Sequence, residues 1–340
     1  MAATTPYGSW KSPITSDLIV SSSLRLGAVQ IEGADIYWGE LRPQEGGRQL
    51  VVRYGPEDTL GEVSDITSAP FNVRSRVHEY GGGAYCVHDG TVYFSNFADQ
   101  RLYRQVAGME PEALTPEVEP ASGLRFADAV VDAQRSRLIC VMEDHRQSGE
   151  AVNAIATVPL AGGMPRVLVS GNDFYSSPRL SPDGTQLVWV TWNHPQMPWD
   201  GTELWMAAVQ DDGSISRPHK LVGNVKESVC QPCWSPSGAL HFISDATGWW
   251  NLYRWEGARA EPLFPVEGEF AGPQWNFGQS SYGFEDDRTI LCTYKYQGIS
   301  RLARFDTLAR SMDDIETAYS GFGSLQIGEG FAAFLGASTT

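Results

Sequence analysis

Long apolar segments are missing from this chain of 340 residues. No run of about 18 apolar residues occurs, so the sequence offers no transmembrane helix. The N-terminus, MAATTPYGSWKSP, has neither a basic start nor an apolar core, so it is not a secretory signal. Cysteine is scarce, with an odd number of scattered residues: Cys86, Cys140, Cys230, Cys233 and Cys292. This usage is typical of a reducing compartment, and we expect a cytoplasmic protein.

Basic residues are also in short supply. The chain has 25 Lys and Arg against 41 Asp and Glu, which gives a net charge of −16. A surface of this sign repels phosphate backbones and anionic lipids. We therefore expect neither a nucleic-acid partner nor a membrane partner, and the sequence does not predict an oligomeric state.

The sequence lacks the common catalytic and metal-binding signatures. Gly-x-Ser-x-Gly, which places a serine on a strand-to-helix turn, is absent, and Gly278–Gly283 approaches it only with the wrong spacing. The six histidines form no HExxH or HxH pair. Cys230 and Cys233 form a CxxC, but no second ligand pair accompanies it and it leads into a strand, so we interpret it as structural. We predict no catalytic residue, cofactor or metal.

What the chain does contain is a repeat of about fifty residues. A strand-like segment centred on a leucine or isoleucine recurs at Leu50, Leu102, Ile155, Leu204, Leu252 and Leu302. A second series of short apolar runs, bounded by Gly, Asp or Asn, accompanies it at 36–38, 92–94, 138–141, 187–190, 240–243, 290–293 and 331–335. This periodicity is typical of a β-propeller, in which each repeat forms one blade.

The repeat predicts an all-β fold, a β-propeller with six four-stranded blades and a partial seventh. We expect residues 1–22 to form an N-terminal extension and residues 23–340 to form the propeller, truncated within blade seven. The next leucine-centred segment would lie beyond Thr340, so the strand at 331–335 is expected to have an open edge. The segment Ile14–Val20 is a candidate to pair with that edge.

The densest group of polar residues lies just before three consecutive glycines. Arg76, His78, Glu79 and Tyr80 precede Gly81–Gly83, and a strand follows. A phosphate-binding loop would need a helix at that point, so nucleotide binding is disfavoured. Two interpretations remain open: a tight passage near the propeller axis whose charges satisfy one another, or a polar lining of the central channel that meets a substrate.

Adjacent tryptophans mark a second candidate segment. Trp249 and Trp250 follow Gly248 at a turn, and paired aromatic rings there can form a platform for a ligand in the substrate channel. The alternative is that they pack one blade against the next, because large aromatic residues supply much of the buried area of such a core.

These two segments, with a turn motif, carry a family resemblance. RVHEYGGGAY at 76–85, Ser-Pro-Asp-Gly at 181–184 and SDATGWWNLYR at 244–254 together resemble the prolyl oligopeptidase family of serine peptidases. The nearest branch is similar to acylaminoacyl-peptidases and dipeptidyl-aminopeptidase-like enzymes. The resemblance covers nearly the whole chain in register with the repeat, and the first and third segments are its specific part.

The resemblance implies a propeller that sits over a C-terminal α/β-hydrolase domain and restricts access to short peptides. In that family the hydrolase domain carries a Ser-Asp-His triad, and no position of this chain matches a triad residue. The resemblance therefore implies the substrate-gating portion of a hydrolase acting on short peptides or acyl-peptides, without its catalytic domain. The short peptide would meet the chain through that missing domain.

Two other functions stay open at this point. One is a stand-alone propeller that serves as a scaffold for protein–protein interaction. The other is a metal-dependent propeller lactonase with a calcium ion on the axis, which needs several converging carboxylate and amide oxygens. Glu79 is one candidate ligand for such an ion.

Overall fold

Antiparallel sheets follow one another along the chain in the computed structural model, which describes residues 6–20, 24–55 and 63–338. The first blade consists of β1 (Arg25–Glu32), β2 (Asp35–Arg42), β3 (Arg48–Tyr54) and β4 (Val63–Asp65). The second consists of β5 (Tyr85–His88), β6 (Thr91–Ser95), β7 (Leu102–Val106) and β8 (Glu112–Ala113). The third consists of β9 (Leu124–Asp132), β10 (Arg137–Asp144), β11 (Val152–Pro159) and β12 (Arg166–Ser170).

The next three blades repeat this plan. The fourth consists of β13 (Phe174–Leu180), β14 (Gln186–Trp192), β15 (Glu203–Val209) and β16 (Ile215–Gly223). The fifth consists of β17 (Val229–Trp234), β18 (Leu240–Ser244), β19 (Asn251–Trp255) and β20 (Ala260–Pro262). The sixth consists of β21 (Gly268–Glu269), β22 (Tyr282–Phe284), β23 (Thr289–Tyr296), β24 (Ile299–Asp306) and β25 (Ser311–Ile315). Both β21 and β22 pair with β23, so two short strands share its innermost position.

A two-stranded hairpin occupies the seventh position of the ring. It is formed by β26 (Gly321–Gly328) and β27 (Phe331–Ala337). Strand β26 contacts β22 and β23 on one side and β1 on the other, so the hairpin lies between the sixth blade and the first. Leu325 of β26 is buried against Leu291 and Leu302. The structure confirms the predicted propeller of six blades and a partial seventh.

Helical structure is sparse in the described residues. It consists of α1 (Ser16–Val20) and two short 3-10 turns, Pro43–Glu45 and Ala133–Arg135. The expectation that Ile14–Val20 could pair with the edge of β27 is wrong, because a helix has its backbone N–H and C=O groups directed along its own axis. None of the described helices has the length and apolarity needed to cross a bilayer.

The two series of apolar segments occupy the middle of the six complete blades. The segments centred on Leu50, Leu102, Ile155, Leu204, Leu252 and Leu302 form the third strands, and all six residues are at most 6% exposed. The other series forms the second strands, including the hairpin strand β27. In the six complete blades both strands are covered on their two faces by the neighbouring blades, which is why they are apolar without alternation. Strand β27, at the open edge of the hairpin, has no buried residue.

The Ser-Pro turns connect the first and second strands of two blades. The Gly184 N–H donates to the Ser181 carbonyl at 2.8 Å, and Gly238 makes the same bond to Ser235 at 2.9 Å. Both glycines have a positive φ, +70° and +85°. Glycine adopts this conformation without the clash that a Cβ would cause.

Most of the innermost strands carry a β-bulge that the sequence analysis did not find. The pairing register shifts at Ala28, Asp128, Ser177, Gln231 and Ser324, and each of these residues has a φ between +49° and +53°. A bulge leaves one residue out of the ladder and increases the local twist. Its free backbone groups are then available to the next blade: the Gln231 carbonyl accepts a hydrogen bond from the Tyr282 hydroxyl at 2.8 Å.

Candidate functional site

Two adjoining cavities open at one end of the ring. The acidic cavity, of 770 Å³, is bordered by the first residues of β13 and β17, and the basic cavity, of 730 Å³, by the first residues of β1 and β26. These are the N-terminal ends of innermost strands, which all point the same way in a propeller. Residues 79–80 and 276–279 border both cavities. We refer to residues 76–83 together with 274–279 as the partition.

The three glycines let the two halves of the partition approach each other. Gly81, Gly82 and Gly83 all have a positive φ, of +66°, +88° and +51°. Gly82 pairs with Phe277 in a parallel bridge, and a Cβ on Gly82 would lie 2.4 Å from the Phe277 carbonyl oxygen. The Phe277 N–H donates to the Gly81 carbonyl at 2.9 Å. Only glycine fits this backbone path, so the contact between the two segments of the partition depends on these glycines.

His78 is enclosed by aromatic rings on the acidic side of the partition. Its imidazole centroid lies 5.2 Å from that of Phe174, 5.5 Å from Trp192 and 4.8 Å from Phe277. Its backbone N–H donates to Glu143 Oε1 at 2.7 Å. Burial lowers the pKa of His78, and the nearby Glu143 opposes this only in part. The imidazole is therefore neutral at pH 7 and acts as part of the cavity wall.

Glu79 and Glu143 share one cation. Arg125 Nη1 lies 2.9 Å from Glu79 Oε1 and 3.6 Å from Glu143 Oε2. His145 Nε2 lies 2.9 Å from Glu143 Oε2 as well. The Glu143 side chain is 6% exposed, whereas that of Glu79 is 78% exposed. Glu79 thus keeps a carboxylate edge that a ligand can reach.

Aromatic rings form the rim beside Glu79. The Tyr80 and Trp275 centroids are 5.3 Å apart, and Trp275 lies 4.4 Å from Trp199. Tyr80 is 65% exposed and Trp275 is 50% exposed. All three rings border the acidic cavity, and Tyr80 borders the basic one too. Clustered apolar surface of this kind marks a site where a ligand or another chain binds.

The two cavities have opposite charges. Four carboxylates border the acidic cavity, and no lysine or arginine of the described residues does; the four are Glu79, Glu143, Glu150 and Asp173. The basic cavity is bordered by four cations, Arg25, Arg74, Arg76 and Lys295, against the two carboxylates Glu79 and Glu269. The charge separation lies across the partition.

The structure brings together four of the six predicted channel residues. Arg76 borders the basic cavity, His78 the acidic cavity, and Glu79 and Tyr80 border both. All four belong to the partition. Their roles toward a substrate stay predictions.

The other two predicted channel residues, Trp249 and Trp250, border neither cavity. Trp250 packs in a buried cluster with Cys230 and Phe270, and its backbone N–H donates to Glu269 Oε2 at 2.8 Å. Trp249 is 39% exposed. This placement is closer to the alternative in which the tryptophans pack one blade against the next than to the one in which they form a platform for a ligand.

Two cavity residues were not found from the sequence. Trp199 and Trp275 have no functional motif of their own, and both lie in loops. Each is near the site only because the ring brings distant blades together. A single sequence carries no signal for that proximity.

The two cysteines of the CxxC motif lie within a strand of the fifth blade. Cys230 and Cys233 lie in β17 on either side of its bulge, and both are free thiols. Burial raises the pKa of Cys233 to about 11 and that of Cys230 further still, so neither is a thiolate at pH 7. No group of three His, Cys, Asp or Glu side chains within residues 6–20, 24–55 and 63–338 is arranged to hold a metal ion.

No protein-family model matches the sequence, and no curated protein matches it. Solved structures do match. A puromycin hydrolase is 34% identical, with a TM-score of 0.89 over 99% of this chain and 54% of its own. A puromycin-hydrolyzing peptidase of Mycobacterium tuberculosis is 38% identical, with a TM-score of 0.86 over 96% of this chain and 52% of its own.

A more distant match extends the likeness of fold. Prolyl oligopeptidase B from Galerina marginata is 10% identical, with a TM-score of 0.61 over 89% of this chain and 45% of its own. The chain thus spans about half the length of each of these enzymes. The matches agree with the sequence resemblance and with the observed ring of blades. These neighbours, each matched over about half of its own length, are consistent with a chain that is the β-propeller portion of a prolyl oligopeptidase-family peptidase.

Proposed function

We propose that this chain is the substrate-receiving propeller of a serine peptidase that acts on short peptides. The observation that carries the proposal is the acidic cavity, with its four carboxylates and its rim of Tyr80, Trp199 and Trp275. A concave site with aromatic walls and a few convergent polar groups is the usual form of a small-ligand site. The role of the propeller is to hold one end of the substrate and to limit its size.

The position of the cavities supports this role. Strand β1 starts at Arg25, which borders the basic cavity, and β27 passes the same cavity at Leu335, two residues before it ends. The polypeptide therefore enters and leaves the ring at the end where both cavities open. In an enzyme about twice as long, a catalytic domain joined at these points would lie over the cavities.

The size of the acidic cavity favours short peptides. Its volume of 770 Å³ lies within the range of about 300–1,000 Å³ that is typical of sites for small ligands. The partition closes one side of the cavity, because Gly82 and Phe277 are joined backbone to backbone. A long or folded chain has no passage across this wall.

Charge selects a substrate with a free amino terminus over an acylated one. An α-ammonium group placed near Glu79 would complete the pairing that Arg125 satisfies on one side only. Tyr80 and Trp275 add faces on which a cation is attracted by the ring quadrupole. An acyl group would bring no charge to a lining that has four carboxylates.

Calorimetric titration of this chain with a tripeptide and with its N-acetylated form tests the proposal. We expect the free amine form to bind about tenfold more tightly, and Glu79→Gln to remove most of that difference. Trp275→Ala should weaken the binding of both forms. Trp249→Ala is the matched control, because it removes an exposed tryptophan that borders neither cavity.

Equal affinities for the two peptides, or an unchanged preference in Glu79→Gln, would contradict the proposal. The scaffold alternative predicts that neither tripeptide binds. The lactonase alternative predicts heat on titration with calcium, although its candidate ligand Glu79 is engaged with Arg125.

The proposal also includes a reducing, cytoplasm-like compartment as the place of action. All five cysteines lie in strands, and all are free thiols. Cys86 and Cys140 are buried, and burial raises the pKa of Cys86 to about 12. The folded chain is first incubated with a disulfide reagent and then unfolded for titration of its thiols. We expect all five thiols still to be free.

A further inference from the structure

We propose that the basic cavity binds a carboxylate, namely the C-terminal carboxylate of a short peptide. The inference rests on the proposed function, because it assigns the second end of the same substrate. It adds a second recognition site, on the other side of the partition from the acidic cavity.

Two arginines of the basic cavity are held over one aromatic ring. The guanidinium carbons of Arg74 and Arg76 each lie 4.4 Å from the centroid of Phe97. The backbone of both is anchored: the Arg74 N–H donates to the Ser95 carbonyl at 3.1 Å, and the Arg76 N–H to Gln100 Oε1 at 2.8 Å. Their position is therefore set by the second blade.

These cations have no counter-ion in the part of the chain that the structure describes. Most arginines of this protein form ion pairs, but Arg74, Arg76, Arg25 and Lys295 form none with the described residues. In a chain with a net charge of −16, four cations at one cavity, none of them paired with a described carboxylate, are a marked local excess. Like charges held close together repel, so an anion that enters the cavity lowers the free energy of the group.

The two carboxylates in the cavity wall have partners other than Arg74 and Arg76. Glu79 pairs with Arg125, and Glu269 accepts the backbone N–H of Trp250 at 2.8 Å. Neither forms an ion pair with Arg74 or Arg76. The cavity thus keeps its positive charge facing the open space.

The position of the two guanidinium groups over Phe97 suits a carboxylate in particular. A guanidinium held against an aromatic ring can still present its N–H groups to the two oxygens of a carboxylate. Glu79 and Tyr80 border both cavities and are 78% and 65% exposed, so one short ligand that lies across these two side chains would meet both cavities. A zwitterionic peptide has the matching pair of charges, with its ammonium toward the acidic cavity and its carboxylate toward the basic one.

The experiment compares a tripeptide that has free termini with its C-terminal amide, by calorimetric titration of the purified chain. We expect the carboxylate form to bind at least fivefold more tightly at low salt, and the preference to shrink as salt is added. Arg74→Gln and Arg76→Gln should each reduce the preference and together abolish it, while the affinity for the amide stays the same.

Arg301→Gln is the matched control. Arg301 also lies over an aromatic ring, 5.9 Å from the centroid of Tyr296, but it borders neither cavity. We expect this variant to keep the full preference for the carboxylate form. Urea unfolding of each variant shows whether it is folded under the conditions of the titration.

Equal binding of the two peptides by the wild-type chain would overturn the carboxylate site, as would an unchanged preference in the double arginine variant. Either result leaves the proposed function standing if N-acetylation still weakens binding. The opposite result is that N-acetylation does not weaken binding but the preference for the carboxylate form remains. It would contradict only the proposed role of the acidic cavity. If the wild-type chain binds neither peptide, both proposals fail.

Discussion

The backbone N–H of Ser177 donates a hydrogen bond to Asp128 Oδ2 at 2.7 Å and so joins the innermost strands of the third and fourth blades. Both residues are the bulge residues of their strands. Asp128 Oδ1 also receives Arg179 Nη1 at 3.1 Å, and the Asp128 side chain is 5% exposed. One buried carboxylate therefore satisfies a bulge N–H and a cation of the next blade.

Asp128→Ala should lower the free energy of unfolding by about 3 kcal/mol, because it leaves the partly buried Ser177 N–H without its acceptor and removes the ion pair with Arg179. Urea unfolding followed by tryptophan fluorescence measures the change. Asp211→Ala, which removes an exposed carboxylate, should stay within about 0.5 kcal/mol of the wild type. Similar effects of the two substitutions would show that the inner bond contributes little.

Gly82→Ala tests the close contact in the partition. The new Cβ would lie 2.4 Å from the Phe277 carbonyl oxygen, so the two segments must separate. Gly90→Ala is a matched control, because Gly90 has a φ of +66° but no heavy atom within 4 Å of such a Cβ. We expect a loss of about 1 kcal/mol for the control and at least about 3 kcal/mol for Gly82→Ala, measured by urea unfolding. Equal losses would mean that the contact adjusts without cost.

His241 should make the fold sensitive to mild acid. Burial lowers the pKa of this histidine to about 4, below the value of about 6.5 in the unfolded chain. Between these values the unfolded state binds more protons than the native state, so stability falls as the pH falls from about 6.5 toward 4. The expected loss from this group between pH 7 and pH 5 is about 2 kcal/mol.

The variant His241→Gln isolates that contribution. Urea unfolding at pH 7 and at pH 5 should show a smaller loss in this variant than in the wild type. His219→Gln, which removes an exposed histidine, serves as the control and should retain the loss of the wild type. The prediction is wrong if both variants lose as much stability as the wild type.

The purified chain should not hydrolyse peptide or acyl-amino-acid substrates. The sequence contains no Gly-x-Ser-x-Gly turn, and acyl transfer by this family depends on a serine activated by a histidine. A peptide substrate with a chromogenic leaving group measures turnover. Activity that a serine-directed fluorophosphonate abolishes would contradict the prediction and point to a nucleophile in the propeller.

Much of the architecture could be predicted from local sequence. A strand such as Leu187–Val190 is recognisable because four apolar residues between turn signals have few other structures in which to be buried. Because the segment recurs about every fifty residues, the same local prediction applies to each blade in turn. The β-bulges escaped this reasoning, because residues as different as Ala28, Asp128 and Gln231 adopt the same positive φ.

The candidate site was predicted only in part. The segment before Gly81 attracted attention because it concentrates Arg, His, Glu and Tyr, and the structure places those residues in the partition. Trp249 and Trp250 attracted the same attention, yet Trp199 and Trp275 are the tryptophans that border the acidic cavity. Local composition does not show which exposed aromatic side chains lie at the end of the propeller where the cavities open.

Local sequence is thus sufficient for the strands, the turns and the number of blades, since each depends on contacts between neighbouring segments. The separation of charge between the two cavities depends on ring closure. Arg25, Arg76 and Lys295 come from the first blade, from the connection to the second and from the sixth, and only closure of the ring brings their like charges to one cavity. Tertiary structure alone sets such long-range electrostatic groupings, because the energy depends on distance in space and not on separation along the chain.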